Sequence, residues 1–280
     1  MKYIKMKTVR SIGLKCLALF AIGLTAGCES DDTQTVTNFT RLVAQDEFDV
    51  DGAPNSEMWG FDIGTGENGW GNNELQYYTD RPENVTVQNG VMIITAREES
   101  FENSQYTSAR LLTQDRLEQK FGRFEARIRL PYGQGIWPAF WMLGADIDEN
   151  PWPGAGEIDI MEFRGQEPTR IIGSVHGPGY SGGAAISKEF NLENDRFDTG
   201  FHVFGIEWGP DYVNYYVDDV LYNRITPEDV TGFWAFNKPF FILINLAVGG
   251  TFVGSPDEET VFPQTMLIDY VRIYENTDVN

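Results

Sequence analysis

Beyond about Leu42 the chain keeps to one pattern: short apolar runs or two-residue alternations, cut every few residues by glycine, proline, asparagine or aspartate. The clearest case is Arg123–Leu130, where Phe124, Ala126, Ile128 and Leu130 alternate with Arg123, Glu125, Arg127 and Arg129. Successive side chains on an extended backbone point to opposite faces, so this segment predicts a strand with one apolar and one wet face. Val85–Val87, Val91–Ala96, His202–Trp208, Val213–Val217, Phe240–Leu246 and Leu267–Tyr274 are further strand candidates. Gln88-Asn89-Gly90 and Gly209-Pro210-Asp211 stand between such runs as turns. No convincing amphipathic helix is present, nor any repeat on the order of 20–50 residues. Many strands, frequent turns and almost no helix predict an all-β fold, an antiparallel β-sandwich.

One segment breaks the alternation. In Gly156-Glu157-Ile158-Asp159-Ile160-Met161-Glu162-Phe163, Glu157 and Asp159 share a strand face, but the next place on that face is Met161. Glu162 is one residue out of phase. A β-bulge at Ile160-Met161 absorbs the extra residue and returns Glu162 to the acidic face, leaving Ile158 and one bulge residue in the core. Three carboxylates on one face oppose one another's ionisation, a costly arrangement that points to chemistry. Glu157 and Glu162 then lie about four strand steps apart, roughly 13 Å between Cα atoms. Side chains leaning together close this to roughly 5–6 Å, the separation of a retaining rather than an inverting pair. Asp159 between them can hold a proton or hydrogen bond with Glu157, and its charge keeps Glu162 protonated as the acid. A solvated acidic edge and a metal site are the alternatives; Ile158, Ile160, Met161 and Phe163 argue against the first.

The beginning of the chain adds a location. Lys2, Lys5, Lys7, Arg10 and Lys15 precede an apolar run from Cys16 to Leu24, the form of a secretory signal and too short for a membrane span. Thr25-Ala26-Gly27-Cys28 resembles the lipobox of bacterial lipoproteins, which implies removal of residues 1–27 and a lipid anchor at Cys28. Ordinary cleavage would instead leave Cys28 a spectator. Residues 28–41 are polar and read as a flexible tether. Their Glu29-Ser30-Asp31-Asp32 resembles the signal that sends some Gram-negative lipoproteins to the cell surface, so an outer-membrane lipoprotein facing outward is expected. Residues 42–280 remain for one domain, ample for a single core. Cys28 is then the only cysteine of the mature chain, and no internal disulfide can form.

The mature chain carries 16 basic and 42 acidic side chains, a net charge of −26. That field repels nucleic acid and sulfated polymers and favours an uncharged partner.

Sugar rings present C–H faces that stack on aromatics and hydroxyls that need fixed polar partners. Trp137 and Trp141 stand four apart in Ile136-Trp137-Pro138-Ala139-Phe140-Trp141, hence on one strand face, and Trp152 precedes the carboxylate strand. Asn72-Asn73-Glu74, Arg110, His176 and Asn245 are candidate hydroxyl-binding groups. Asp146, Asp148, Asn150 and Glu157 have the spacing of an EF-hand loop, but its sixth place needs Gly and here is Pro151. With two histidines in the chain a His-based zinc site is not expected. Ser181 lacks the spacing of a nucleophile elbow.

These motifs together resemble glycoside hydrolase family 16, and within it the laminarinase-like endo-β-1,3-glucanases. The residues that carry the resemblance are Trp70-Gly71-Asn72-Asn73-Glu74-Leu75-Gln76-Tyr77-Tyr78-Thr79, Tyr106 to Leu111, Gly135 to Gly144, Gly156 to Glu162, Asn245 to Gly250 and Ile268 to Tyr274, in family order. The resemblance implies a jelly-roll sandwich with a substrate cleft on its concave face and no catalytic cofactor. By position it makes Glu157 the nucleophile, Asp159 its helper and Glu162 the acid/base. Asn73, Arg110, Trp137, Trp141, His176 and Asn245 become substrate contacts, and Trp152, from its place before the carboxylate strand, is expected to join them. Many members hold a structural calcium. Asp269 matches its side-chain ligand, with backbone oxygens from near Glu47 and Gly90. The expected partner is a β-glucan such as laminarin, mixed-linkage glucan included, cut by a monomer. A relative cutting neutral galactan and a glucan-recognition protein with a dead site are the alternatives; the second loses the glutamates that this chain keeps.

Overall fold

The computed structural model describes Phe39 and residues 41–275, so the signal, Cys28 and the tether up to residue 38 lie outside the described residues. The described strands are β1 (Arg41–Asp46), β2 (Gly60–Asp62), β3 (Gln76–Tyr78), β4 (Val85–Gln88), β5 (Val91–Phe101), β6 (Ser104–Ser108), β7 (Arg110–Leu112) and β8 (Gly122–Arg129). They continue with β9 (Ile136–Gly144), β10 (Glu157–Phe163), β11 (Arg170–His176), β12 (Ile186–Asn191), β13 (His202–Gly209), β14 (Tyr212–Val217), β15 (Val220–Ile225), β16 (Phe240–Val248) and β17 (Gln264–Glu275). Two helical turns, Gly69–Asn73 and Gly182–Ala184, are the rest of the regular structure described.

The strands form two sheets. One runs β15-β14-β13-β8-β17-β5-β6-β3, with β1 beside β17 and β4 beside β5; the other runs β12-β11-β10-β9-β16-β7-β2. All pairings are antiparallel except β3 with β6. Both predicted turns are two-residue hairpin loops. Gln88 pairs with Val91 around Asn89-Gly90, both left-handed at φ +54° and +76°, as such a loop requires. Gly209 pairs with Tyr212 around Pro210-Asp211.

The apolar residues of the two inner faces meet in one core: Phe124, Ala126 and Ile128 from β8, Ile206 and Trp208 from β13, Phe140 and Met142 from β9, Ile242 and Ile244 from β16. Ile158, Ile160, Met161 and Phe163 join it from β10. The sandwich is therefore all-β, and the other face of the seven-stranded sheet carries polar side chains together with two small apolar clusters.

Candidate active site

The register of β10 contains the irregularity that its sequence requires. Against β9, Asp159 faces Trp141, Met161 faces Phe140 and Glu162 faces Ala139, so Ile160 is the extra residue. Against β11 the register shifts between Asp159, opposite Ser174, and Glu162, opposite Ile172. Both bulge residues are buried, Ile160 at 1% and Met161 at 0% exposure, so the expectation that one of them leaves the core is corrected. The bulge turns two consecutive side chains inward where a regular strand would turn one. Glu157 faces Leu143 and Glu162 faces Ala139, four regular steps along β9.

Register continues these positions across the sheet. Glu162, Ala139, Asn245, Arg110 and Asp62 form one row over β10, β9, β16, β7 and β2. Asp159, Trp141 and Leu243 form the next, and His176, Glu157, Leu143 and Phe241 a third. Leu112, Leu143, Phe241 and Leu243 pack beneath Trp141 as a small second cluster, and Trp137 packs with Ala247, Val253 and Phe252 as another.

At the acidic end His176 Nε2 lies 3.1 Å from Asp159 Oδ2 and 3.6 Å from Glu157 Oε1. Its Nδ1 accepts a hydrogen bond from the backbone N–H of Gly182 at 3.0 Å. Asp159 is buried, at 3% exposure, and its Oδ2 has no aligned hydrogen-bond donor. Burial, then the Asp159 charge, pushes the Glu157 carboxyl up to about 8, against the pull of His176 and of the Trp152 side chain. Burial lifts Asp159 to about 7, and its bond with Glu157 works the other way. Two carboxyls so placed share a proton. Burial first, then Asp159 and Glu157, holds Glu162 well above the usual carboxylate range, with His176 and the Trp137 indole opposing. The surroundings of Glu162 therefore favour its protonated form.

Glu157, Asp159 and His176 also bring three ligand-type atoms within 4.8 Å of one another. The Gly182 bond puts the imidazole proton on Nε2, so His176 meets the carboxylates as a donor and not as a metal ligand.

At the other end Arg110 lies between two indoles, its guanidinium carbon 4.7 Å from the Trp70 ring centre and 4.8 Å from that of Trp141, and pairs with Asp62 at 2.8 Å. Trp141 Nε1 donates to Asn245 Oδ1 at 2.7 Å, Asn245 Nδ2 to Tyr78 Oη at 3.1 Å, and Tyr78 Oη to Glu74 Oε2 at 3.1 Å. Gln76 Nε2 donates to the same oxygen at 2.7 Å. Burial raises the Glu74 carboxyl, against the pull of Gln76 and Arg110. Asn245 and Glu74, candidate sugar-binding groups from sequence, thus have their side chains engaged in holding Trp141. Asn73 is exposed, left-handed at φ +57°, in the turn beside them. Trp152 is 45% exposed, its ring centre 6.1 Å from that of His176. Sequence reasoning did not single out Trp70, Tyr78, Gln76 and Asp62 as a unit. Trp70 carried one signal, a bulky residue in a glycine-rich turn, where it takes φ +55°.

The decoy Asp146–Asn150 is held otherwise: Asp146 pairs with Lys238 at 2.7 Å and accepts from Asn150 Nδ2 at 3.2 Å. Of the residues expected near a calcium, Asp269 lies on β17, Glu47 just after β1 and Gly90 in the β4–β5 turn, where the neighbour of β17 changes from β5, paired through Ile268, to β1, paired from Val271. Asp269 stands in that gap with one oxygen 2.6 Å from Arg127, and Arg272 grips the Glu47 carboxylate at 2.7 and 2.9 Å.

Residues 72–272 match the family model described as glycosyl hydrolases family 16. The chain is 41% identical over 267 residues to the beta-glucanase of Rhodothermus marinus, covering 91% of this chain and 93% of that protein. It superposes on the laminarinase catalytic domain of Thermotoga maritima with a TM-score of 0.81 at 46% identity, covering 85% of this chain and 98% of the other. The endo-beta-1,3-glucanase of Pyrococcus furiosus gives 0.81 at 47% identity, over 84% and 94%.

Proposed function

The chain belongs to glycosyl hydrolases family 16, and from that premise we propose that it is a retaining endo-hydrolase of β-1,3-glucan that also accepts mixed-linkage glucan. One observation carries the reading: the bulge in β10 keeps Glu157 and Glu162 on one face, four steps apart along β9, with Asp159 between them. Glu157 is the nucleophile. Transfer of the shared proton to Asp159 frees its carboxylate to attack the anomeric carbon. Glu162, whose protonated form its buried setting favours, gives its proton to the departing oxygen and then, as a base, activates the water that releases the glycosyl-enzyme. Trp137, Trp141 and Trp152 offer flat faces to sugar rings, and Arg110 offers N–H donors. Neutral galactan is not favoured, because the relatives reported above are glucanases. A recognition protein with a dead site is not favoured either, since both glutamates are present.

Proton NMR during the first minutes of laminarin hydrolysis tests the mechanism. The β-anomer is expected to appear before mutarotation; an initial burst of α-anomer would mean inversion and refute the roles given to Glu157 and Glu162.

The surface location and the calcium belong to the same proposal. The lipobox-like Thr25-Ala26-Gly27-Cys28 supports an outer-membrane anchor; wild-type protein should partition into detergent and Cys28→Ala should not, and a soluble wild type would refute it. The gap at Asp269 supports calcium; added Ca²⁺ should raise the melting temperature of the wild type and not of Asp269→Ala, and equal shifts in both would refute it.

A further inference from the structure

The loop that follows His176 enters the reading above only through the Gly182 N–H. Gly177 and Tyr180 form a bridge at its base. Tyr180, 1% exposed, donates its hydroxyl to the Phe233 carbonyl at 2.8 Å, and Thr231 Oγ1 donates to the Gly179 carbonyl at 3.0 Å. From this anchor the chain passes through Ser181-Gly182-Gly183-Ala184-Ala185, a tip of small residues. Gly182 is left-handed at φ +56°, and that conformation goes with an N–H aimed back at His176 Nδ1, 3.0 Å away.

A ring nitrogen that accepts a hydrogen bond cannot carry the proton of a neutral imidazole, so the proton sits on Nε2. Nε2 is the atom that faces Asp159 Oδ2 and Glu157 Oε1, at 3.1 and 3.6 Å. The second histidine is arranged the other way: His202 Nδ1 lies 2.7 Å from Asp218 Oδ2, which puts its proton on Nδ1. On the assignment of Glu157 and Asp159 given above, we infer that the loop of residues 177–185 is a positioning element of the active site. Its Gly182 N–H fixes the tautomer of His176, so that the ring presents a proton and never a lone pair to the carboxyl pair.

The consequence is chemical. With the proton on Nε2, His176 turns its positive edge to Glu157 and Asp159 and favours a negative charge on them. The opposite tautomer would set a lone pair against both carboxyls. Each would then be satisfied only by keeping its own proton, and Glu157 would be held as an acid that cannot attack. The other groups around the ring are Glu162, on β10 with the two carboxyls, and the Trp152 indole.

Long-range ¹H–¹⁵N spectra of the ¹⁵N-labelled mature protein in mildly alkaline buffer read this directly, because the chain has two histidines. His176 should show a bare Nδ1 and a protonated Nε2, and His202 the reverse. Gly182→Pro removes the N–H and reverses φ, and is expected to mix or invert the His176 tautomer. It should lower kcat on laminarin by about 10- to 100-fold, the change expected for losing a hydrogen bond to a charged group, with KM within about twofold. Gly183→Ala leaves the Gly182 N–H in place, and its Cβ would meet nothing within 4 Å; it should keep the His176 tautomer. Should Gly182→Pro disturb the His202 signals as well, His176→Gln and His176→Asn decide the matter. Gln sets an N–H where Nε2 stands and Asn does not, so Gln should be at least about tenfold faster. A bare Nε2 in the wild type, an unchanged kcat in a Gly182→Pro variant with altered tautomer, or equal loss in Gln and Asn would each overturn the inference. Failure of the active-site assignment would look different: Glu157→Ala would retain hydrolysis while the spectra stayed as described.

Discussion

Glu157→Gln should make the protein more stable and inactive at once. A carboxyl whose folded pKa lies above its unfolded value binds more protons native than unfolded. Its contribution to stability is therefore whole below the unfolded pKa and is lost as pH rises toward the folded one. For Glu157 that window runs from the ordinary 4.5 up to about 8. At about 1.4 kcal/mol per pKa unit, ionisation favours the unfolded chain by roughly 3 kcal/mol at pH 7, and by a few tenths near pH 4.5. Glutamine keeps the shape, can donate to Asp159, and never ionises, so the variant escapes that loss. Urea unfolding of both proteins between about pH 5 and pH 8, followed by tryptophan fluorescence, should show a gap that widens with pH in favour of the variant. A gap that stays constant with pH, or a variant less stable than the wild type at pH 7, would refute the claim that a buried, shared proton sits at this site.

Tyr78→Phe removes the link between Asn245 and Glu74 and leaves the buried Asn245 amide without its acceptor. It should cost about 1–3 kcal/mol of stability and raise KM for laminarin severalfold while kcat stays within about twofold; an unchanged KM would show that Trp141 holds its place without the chain. Deleting Met161 restores regular alternation on β10 and moves the Glu162 carboxyl along the strand. A displacement of about 1 Å corresponds to about a hundredfold in rate, so kcat on laminarin should fall by that order, and identical kinetics on laminarin and mixed-linkage glucan would show that the bulge does not matter.

What could be read from sequence follows from how local each signal is. The carboxylate strand is legible because its period of two breaks inside one short segment, and the register bears that break out at Ile160. β8, β13, β14, β16 and β17 are legible because they are long and apolar on at least one face. β2, β3 and β7 are three residues each, too short to show any period, and exist because neighbours pair with them. The polar half of the cleft fails for a related reason. A lone asparagine in an apolar strand has no local sign of its partner. Asn245 is committed to Trp141 and Tyr78 only because β16 lies between β9 and β7. The same holds for Arg110, whose place between Trp70 and Trp141 depends on residues 40 and 31 positions away in sequence. Alternation assigns a face, and pairing assigns a partner.

Pairing also explains why the carboxylates stand on β10. That strand has β11 on one side and β9 on the other, so its backbone hydrogen bonds are made within the sheet and its position is fixed from both flanks. Its inner face carries Ile158, Ile160, Met161 and Phe163, all at 1% exposure or less. Burying such side chains stabilises by about 1.5–3 kcal/mol each, an upper range because unfolded chains already bury some surface. Four of them outweigh the roughly 3 kcal/mol by which the raised Glu157 carboxyl disfavours the fold at pH 7. An edge strand such as β12, exposed along most of its length, has no inner face of that kind to offset a raised carboxyl. The bulge adds to the advantage, since it turns two consecutive residues inward and so enlarges the apolar face of the strand that carries the acids. One extra residue thus sets the height of Glu162 and strengthens the packing that keeps three mutually repelling carboxyls on one strand.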